Sequence, residues 1–156
     1  MIKIKKSPTA DTRSATEKVT HEKLLASSHQ HVDDVRRTIY FMVGKLLSIA
    51  DRHDWTKIDG IDQFYADFSA VQKDTDIDFK TLKWFKRHVT SERHHVNDFC
   101  PEDVNLFDLL ERVSDITVAG MARKGKIYDD TLSPEILTKA YQNTVKLIKD
   151  SIVVED

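Results

Sequence analysis

Most of what makes a protein easy to place is scarce in this chain of 156 residues. Cys100 is the only cysteine, so no intramolecular disulfide can form and a reducing compartment such as the cytoplasm is expected. Proline (3) and glycine (4) are rare, which argues against a many-turned β fold and for long helices. No apolar run has the length of a membrane span. The start, Met-Ile-Lys-Ile-Lys-Lys, has basic charge but no apolar stretch behind it, so it does not read as a secretory signal. Charge of one sign is missing too. With 24 basic and 26 acidic residues the formal net charge is -2, and nothing indicates a nucleic-acid partner.

What is present is helical periodicity. Residues 1–19 are polar and contain Pro8; they read as an extended or flexible arm. Residues 20–156 read as one helical domain. Val32, Val35, Ile39, Met42, Leu46 and Ile49 step by three and four and predict a helix over about 21–52, its apolar stripe facing a core, with Gly44 as the weak point. A turn over 54–60 ends in Gly60. Further helices are expected over about 61–72, 79–95, 103–123 and 134–150. Lys124-Gly125-Lys126 supplies a stop for the fourth, and Ser133-Pro134 a start for the last. No alternating pattern is longer than a few residues. The expected fold class is all-α, a compact bundle of five to six helices.

Seven histidines are the compositional anomaly. His53 continues the first stripe and should point at the core, and Asp54 follows it. Such a pair is either a hydrogen-bonded buried histidine or, with more partners, a site for a divalent metal. His88, Glu92 and His95 share one helix face if the helix is continuous. His88 and His95 are then about 10 Å apart, too far for one ion and suited to two, or to an ion and a substrate. His94 points about 100° away, so only one of His94 and His95 should face the site, unless the helix ends early. Asp115 lies one turn after Glu111. Two carboxylates at that spacing repel, and a cation or Arg112 would relieve them. His31 lies 22 residues before His53, about 33 Å away on a straight helix. Either the chain reverses, with Gly44 as hinge, or His31 is no ligand of that ion; His29 competes for the role.

The order His31, His53-Asp54, Asp115, with His88 and His94 or His95 between, resembles the HD-domain superfamily of metal-dependent phosphohydrolases. It is most similar to a family of short, uncharacterised bacterial and phage proteins with His-Asp-x-Ser/Thr-Lys, a later His-His pair and Glu-x-x-x-Asp. Here these are His53-Asp54-Trp55-Thr56-Lys57, His94-His95 and Glu111…Asp115. The resemblance covers roughly residues 31–120 and implies an HD-like helical fold. It implies one or two divalent ions (manganese, iron, cobalt, nickel, zinc or magnesium) held by His31, His53, Asp54, His88, His94, His95 and Asp115. It further implies metal-activated water attacking a nucleotide or other small phosphate ester, with Asp54 and Lys57 catalytic and Lys57, Arg93 and Arg112 contacting phosphate. Trp84 and Tyr65 are candidates to stack a base. Two other readings stand beside this one. A smaller branch of the superfamily holds two irons and oxidises small polyols or phosphonates. A non-catalytic, metal-stabilised helical adaptor is also compatible, and a homo-oligomer is possible.

Overall fold

A computed structural model describes residues 1–6 and 19–155. Residues 7–18 of the expected N-terminal arm lie outside the described residues. The fold is all-α. Six α-helices are found among the described residues, with a single two-stranded sheet: β1 (Ile2–Lys5), α1 (His21–Ala50), α2 (Trp55–Asp59), α3 (Ile61–Lys73), α4 (Lys83–Ser91), α5 (Leu106–Lys124), α6 (Pro134–Asp150) and β2 (Ile152–Glu155). None of these helices is long and apolar enough to cross a membrane. The chain forms two compact units, Met1–Leu47 with Val145–Asp156, and Ser48–Thr144.

In the first unit the two ends of the chain meet. β1 pairs with β2 in parallel, Ile2 opposite Ile152 and Lys5 opposite Glu155. The alternation Ile2-Lys3-Ile4-Lys5 is the strand period; four residues are too few to stand out in sequence, so this sheet was not expected. Ile2 is buried by it. Gln30 and Arg37, two turns apart on α1, donate to the Lys5 and Lys3 carbonyls and tie the ribbon to the helix. α1 itself is unbroken through Gly44, and none of its 30 residues is buried. The expectation that its stripe faces a core is met only in part: Val32, Val35 and Ile39 are exposed, while Met42, Leu46 and Ile49 are half-buried.

The second unit is better packed. Val96, Val104, Leu109 and Ala140 form its aliphatic core, with Leu106, Leu132 and Ile136 against them. Phe64 stacks on Trp84 at 3.8 Å between ring centres, and Phe68 and Phe79 close the cluster edge-on. The predicted turn over 54–60 is a single helical turn, α2, that ends at Gly60. A Cβ there would meet the Thr56 carbonyl at 2.9 Å and the Trp84 ring at 3.3 Å, so only glycine lets α2 sit this close to α4. Gly125 ends α5 at φ 66, the left-handed stop its flanking lysines suggested. At the other end Asn105 and Asp108 form a capping box.

The helix expected over 79–95 is divided. A 3-10 turn spans Phe79–Thr81, α4 follows, and the chain turns extended at Glu92 (φ -94, ψ 107). Both breaks have a cause in side chains. The buried Asp67 carboxylate on α3 accepts from the Trp84 N–H at 2.8 Å, capping a new helix start. Glu92, also buried, accepts from the Thr56 N–H at 2.9 Å and its hydroxyl at 2.6 Å. That tie to α2 draws Glu92 inward and ends α4 one residue earlier.

Candidate metal centre

The early end of α4 decides the geometry of the centre, all of it in the second unit. Beyond Glu92 the chain turns back through His95, whose N–H donates to the Glu92 carbonyl at 3.2 Å. His95 thereby returns over His88, and the two Nε2 atoms are 2.8 Å apart instead of the roughly 10 Å of a continuous helix. The same break admits His94, so both members of the pair face the centre rather than one.

His53 and Asp54 arrive from the turn after α1. Asp54 has φ 55, the left-handed conformation that Asp and Asn tolerate better than other side-chain-bearing residues. Its carboxylate is the hub. His53 Nε2 is 3.4 Å from Oδ2, while His88 Nε2 and His94 Nε2 are 3.6 and 3.7 Å from Oδ1. Asp115, on α5, brings Oδ1 to 3.8 Å from His53 Nε2. Three overlapping sets of potential ligand atoms each lie within 4.8 Å: Asp54, His88 and His95; His53, Asp54 and Asp115; His53, His94 and Glu111.

Behind the rings stands a second layer of acceptors. Thr56 donates its only hydroxyl proton to Glu92, so it accepts at 2.7 Å from His88 Nδ1–H, leaving the His88 Nε2 lone pair to face His95 Nε2 at 2.8 Å, with Asp54 Oδ1 3.6 Å away. Glu111 accepts from His53 Nδ1 at 2.9 Å, which turns the His53 Nε2 the same way. His94 Nδ1 also lies 3.1 Å from Glu111, close enough for an ion pair but off the hydrogen-bonding direction. Asp98 stands 3.8 Å from His95 Nδ1. A carboxylate or hydroxyl behind an imidazole is the arrangement that fixes ring orientation in metal sites.

The donor set passes a test of fit for a cation. Asp54 Oδ1 and both ring nitrogens of His94 are buried without a hydrogen-bond partner, and such groups cost about 1–3 kcal/mol each unless something satisfies them. Burial, then the neighbouring His95, pushes His88 down to about 3; burial, then His94, takes His95 to about 4. Both are neutral at pH 7, the state a metal-ligating imidazole needs. Burial would raise the Asp54 carboxyl, but the Lys57 ammonium beside it prevails and holds it below the usual range, so it is ionised. Burial likewise opposes ionisation of Glu111, and its contacts with His94 and His53 outweigh it. His94 moves up against its own burial because Glu111 faces it.

Of the sequence candidates, His53, Asp54, Lys57, His88, His94, His95 and Asp115 come together. His31 does not. α1 has no reversal at Gly44, so the helical rise carries His31 roughly 28 Å back from Ala50; it is exposed and belongs to none of the three ligand sets. His29 is exposed on the same helix. The expectation that Arg93 and Arg112 contact phosphate is also corrected, because both guanidiniums are engaged within the fold. Arg93 makes a two-pronged pair with Asp108, 2.9 Å on each arm, and reaches Asp103. Arg112 is paired with Asp130 and donates to the His94 carbonyl. Trp84 is buried, stacked between Phe64 and His88, and offers no face to a base; Tyr65 is exposed. Sequence reasoning placed Glu92 beside His88 and His95, and Glu111 and Thr56 within the motif, but assigned none of the three the task of holding the rings. The signal for Glu111 was present in its unfavourable i, i+4 spacing to Asp115, which is relieved here by imidazoles.

No family model, curated protein or solved structure matches this chain.

Proposed function

We propose that this protein is a metal-dependent phosphohydrolase acting on a nucleotide or another small phosphate ester. The observation that carries the reading is the convergence of His53, His88 and His94 Nε2 on the ionised Asp54, with His95 and Asp115 at its sides. His53, Asp54, His88, His94, His95 and Asp115 are the residues that would hold one or two divalent ions. Such an ion supplies Lewis acidity, lowering the pKa of a coordinated water toward 7 and polarising a phosphoryl oxygen. Glu111, Thr56 and Glu92 keep the rings in register. Lys57, the third residue of α2, is paired with the Asp54 carboxylate and is suited to a phosphate oxygen. With Arg93 and Arg112 engaged elsewhere, substrate charge falls to Lys57 and the ions. The single cysteine fits a reducing, cytoplasmic setting.

Metal analysis of the purified chain beside Asp54→Asn is the first test, followed by nucleotides and phosphodiesters with added manganese, cobalt or iron. The expected result is metal in the wild type, its loss in the variant, and metal-dependent phosphate release. Lys57→Met should keep the metal and lose turnover. Bound metal with no turnover on any ester would leave a structural ion as the reading; absence of metal would remove both.

A further inference from the structure

Lys57 shares a carboxylate oxygen with the candidate ligands. Among the described residues it is the one lysine or arginine paired with Asp54, Glu111 or Asp115; the other ion-pair partners of those three carboxylates are histidines. The two oxygens of Asp54 differ in their surroundings. Oδ1 is buried without a hydrogen-bond partner and faces His88 Nε2 at 3.6 Å and His94 Nε2 at 3.7 Å. Oδ2 faces His53 Nε2 at 3.4 Å and accepts from the Lys57 ammonium. The Asp54 side chain is only 15% exposed, and a carboxylate so poorly hydrated needs a countercharge, which Lys57 supplies. A divalent ion drawn to the same carboxylate would meet that ammonium at close range, where solvent screens little of the repulsion.

We propose that Lys57 is the resident counter-ion of the centre, displaced from Asp54 when a divalent ion binds and released only then to meet a substrate phosphate. Two features make the exchange local. The Lys57 side chain is 33% exposed, and its flexible four-carbon stem lets the ammonium reach water without a move of the backbone. The Lys57 backbone N–H donates to the Asp54 carbonyl at 2.9 Å, a tie that does not depend on either charge. The two residues therefore stay together when their side chains part. This inference rests on the metal reading and adds an order to it, ion first and phosphate second. A lysine that merely braces Asp54 for ligation predicts the opposite sign, since its loss would weaken metal binding.

Calorimetric titration of the full chain with manganese alone tests it. Lys57→Met should bind manganese at least about 10-fold more tightly than the wild type. Lys83→Met removes the same charge from an exposed position on α4 and should stay within about 2-fold. Equal or weaker binding by a folded Lys57→Met overturns the proposal and makes the lysine a brace. A tightening matched by Lys83→Met overturns it as well, because net charge alone would then account for the change. Should Lys57→Met fail to fold, the wild type decides. Modification of Lys57 by acetic anhydride, counted against Lys83 in the same sample by mass spectrometry, should quicken several-fold when manganese is added. A rate that is unchanged or slower in manganese-loaded protein overturns the exchange. Manganese bound by both proteins with equal affinity removes this inference alone; manganese bound by neither removes the metal reading with it.

Discussion

The candidate metal centre and the long helix α1 solve opposite problems. Around Asp54, polar groups of high desolvation cost lie close together, and three of the four rings have a polar neighbour at Nδ1: Glu111 for His53, Thr56 for His88, Asp98 for His95. Along α1, thirty residues form a regular helix without burying one. The contrast separates two kinds of specification. The centre depends on side chains from α2, α4, α5 and the turns between them holding one geometry to fractions of an ångström. The helix depends on its local pattern, which survives most substitutions at exposed positions.

The largest expected effect falls on the hub. Asp54→Asn keeps the left-handed backbone and the side-chain shape but removes the charge. It should weaken divalent-metal affinity by more than about 100-fold, beyond the range for a supporting residue, as read by calorimetric titration. Unchanged affinity would show that the convergence on Asp54 has no bearing on metal. Glu111→Gln comes next. An amide can accept one ring proton but also presents N–H groups, so His53 and His94 lose a common acceptor, and affinity should fall by about 10–100-fold with the fold intact. A fall as deep as that of Asp54→Asn would instead make Glu111 a ligand.

Arg93→Met tests whether that guanidinium belongs to the fold or to a substrate. It leaves the buried Asp108 without its two-pronged partner. Because Arg93 is itself partly exposed, the loss should be about 2 kcal/mol in urea unfolding, with metal affinity unchanged. The smallest effect is expected for His31→Ala. An exposed side chain of α1, outside every ligand set, should alter stability by less than about 0.5 kcal/mol and leave metal binding as it was. A clear loss of metal in this variant would bring α1 into the centre and erase the contrast.

Part of the centre was legible in sequence because its information is local. His53-Asp54 ends a visible stripe, and the Glu111–Asp115 spacing is a local irregularity in charge. The meeting of His88 with His95 was not legible. It depends on Asp67 and Glu92 turning inward to cap and tie elements distant in the chain: Asp67 reaches Trp84, 17 residues on, and Glu92 reaches Thr56, 36 residues back. No periodicity within one helix reports such a match. The same non-local pairing withdrew Arg93 and Arg112 from the phosphate contacts.

By itself the sequence determined that the chain is helical, where most helices begin and end, and which residue types could share a metal, since helix period, capping residues and ligand chemistry all act over a few neighbouring positions. Only the tertiary structure decided which histidines converge, that Glu111 stands behind two of them, and that no residue of α1 is fully buried. Those outcomes turn on buried polar groups finding partners from distant segments, and the free energy of each such match is invisible until the segments are brought together.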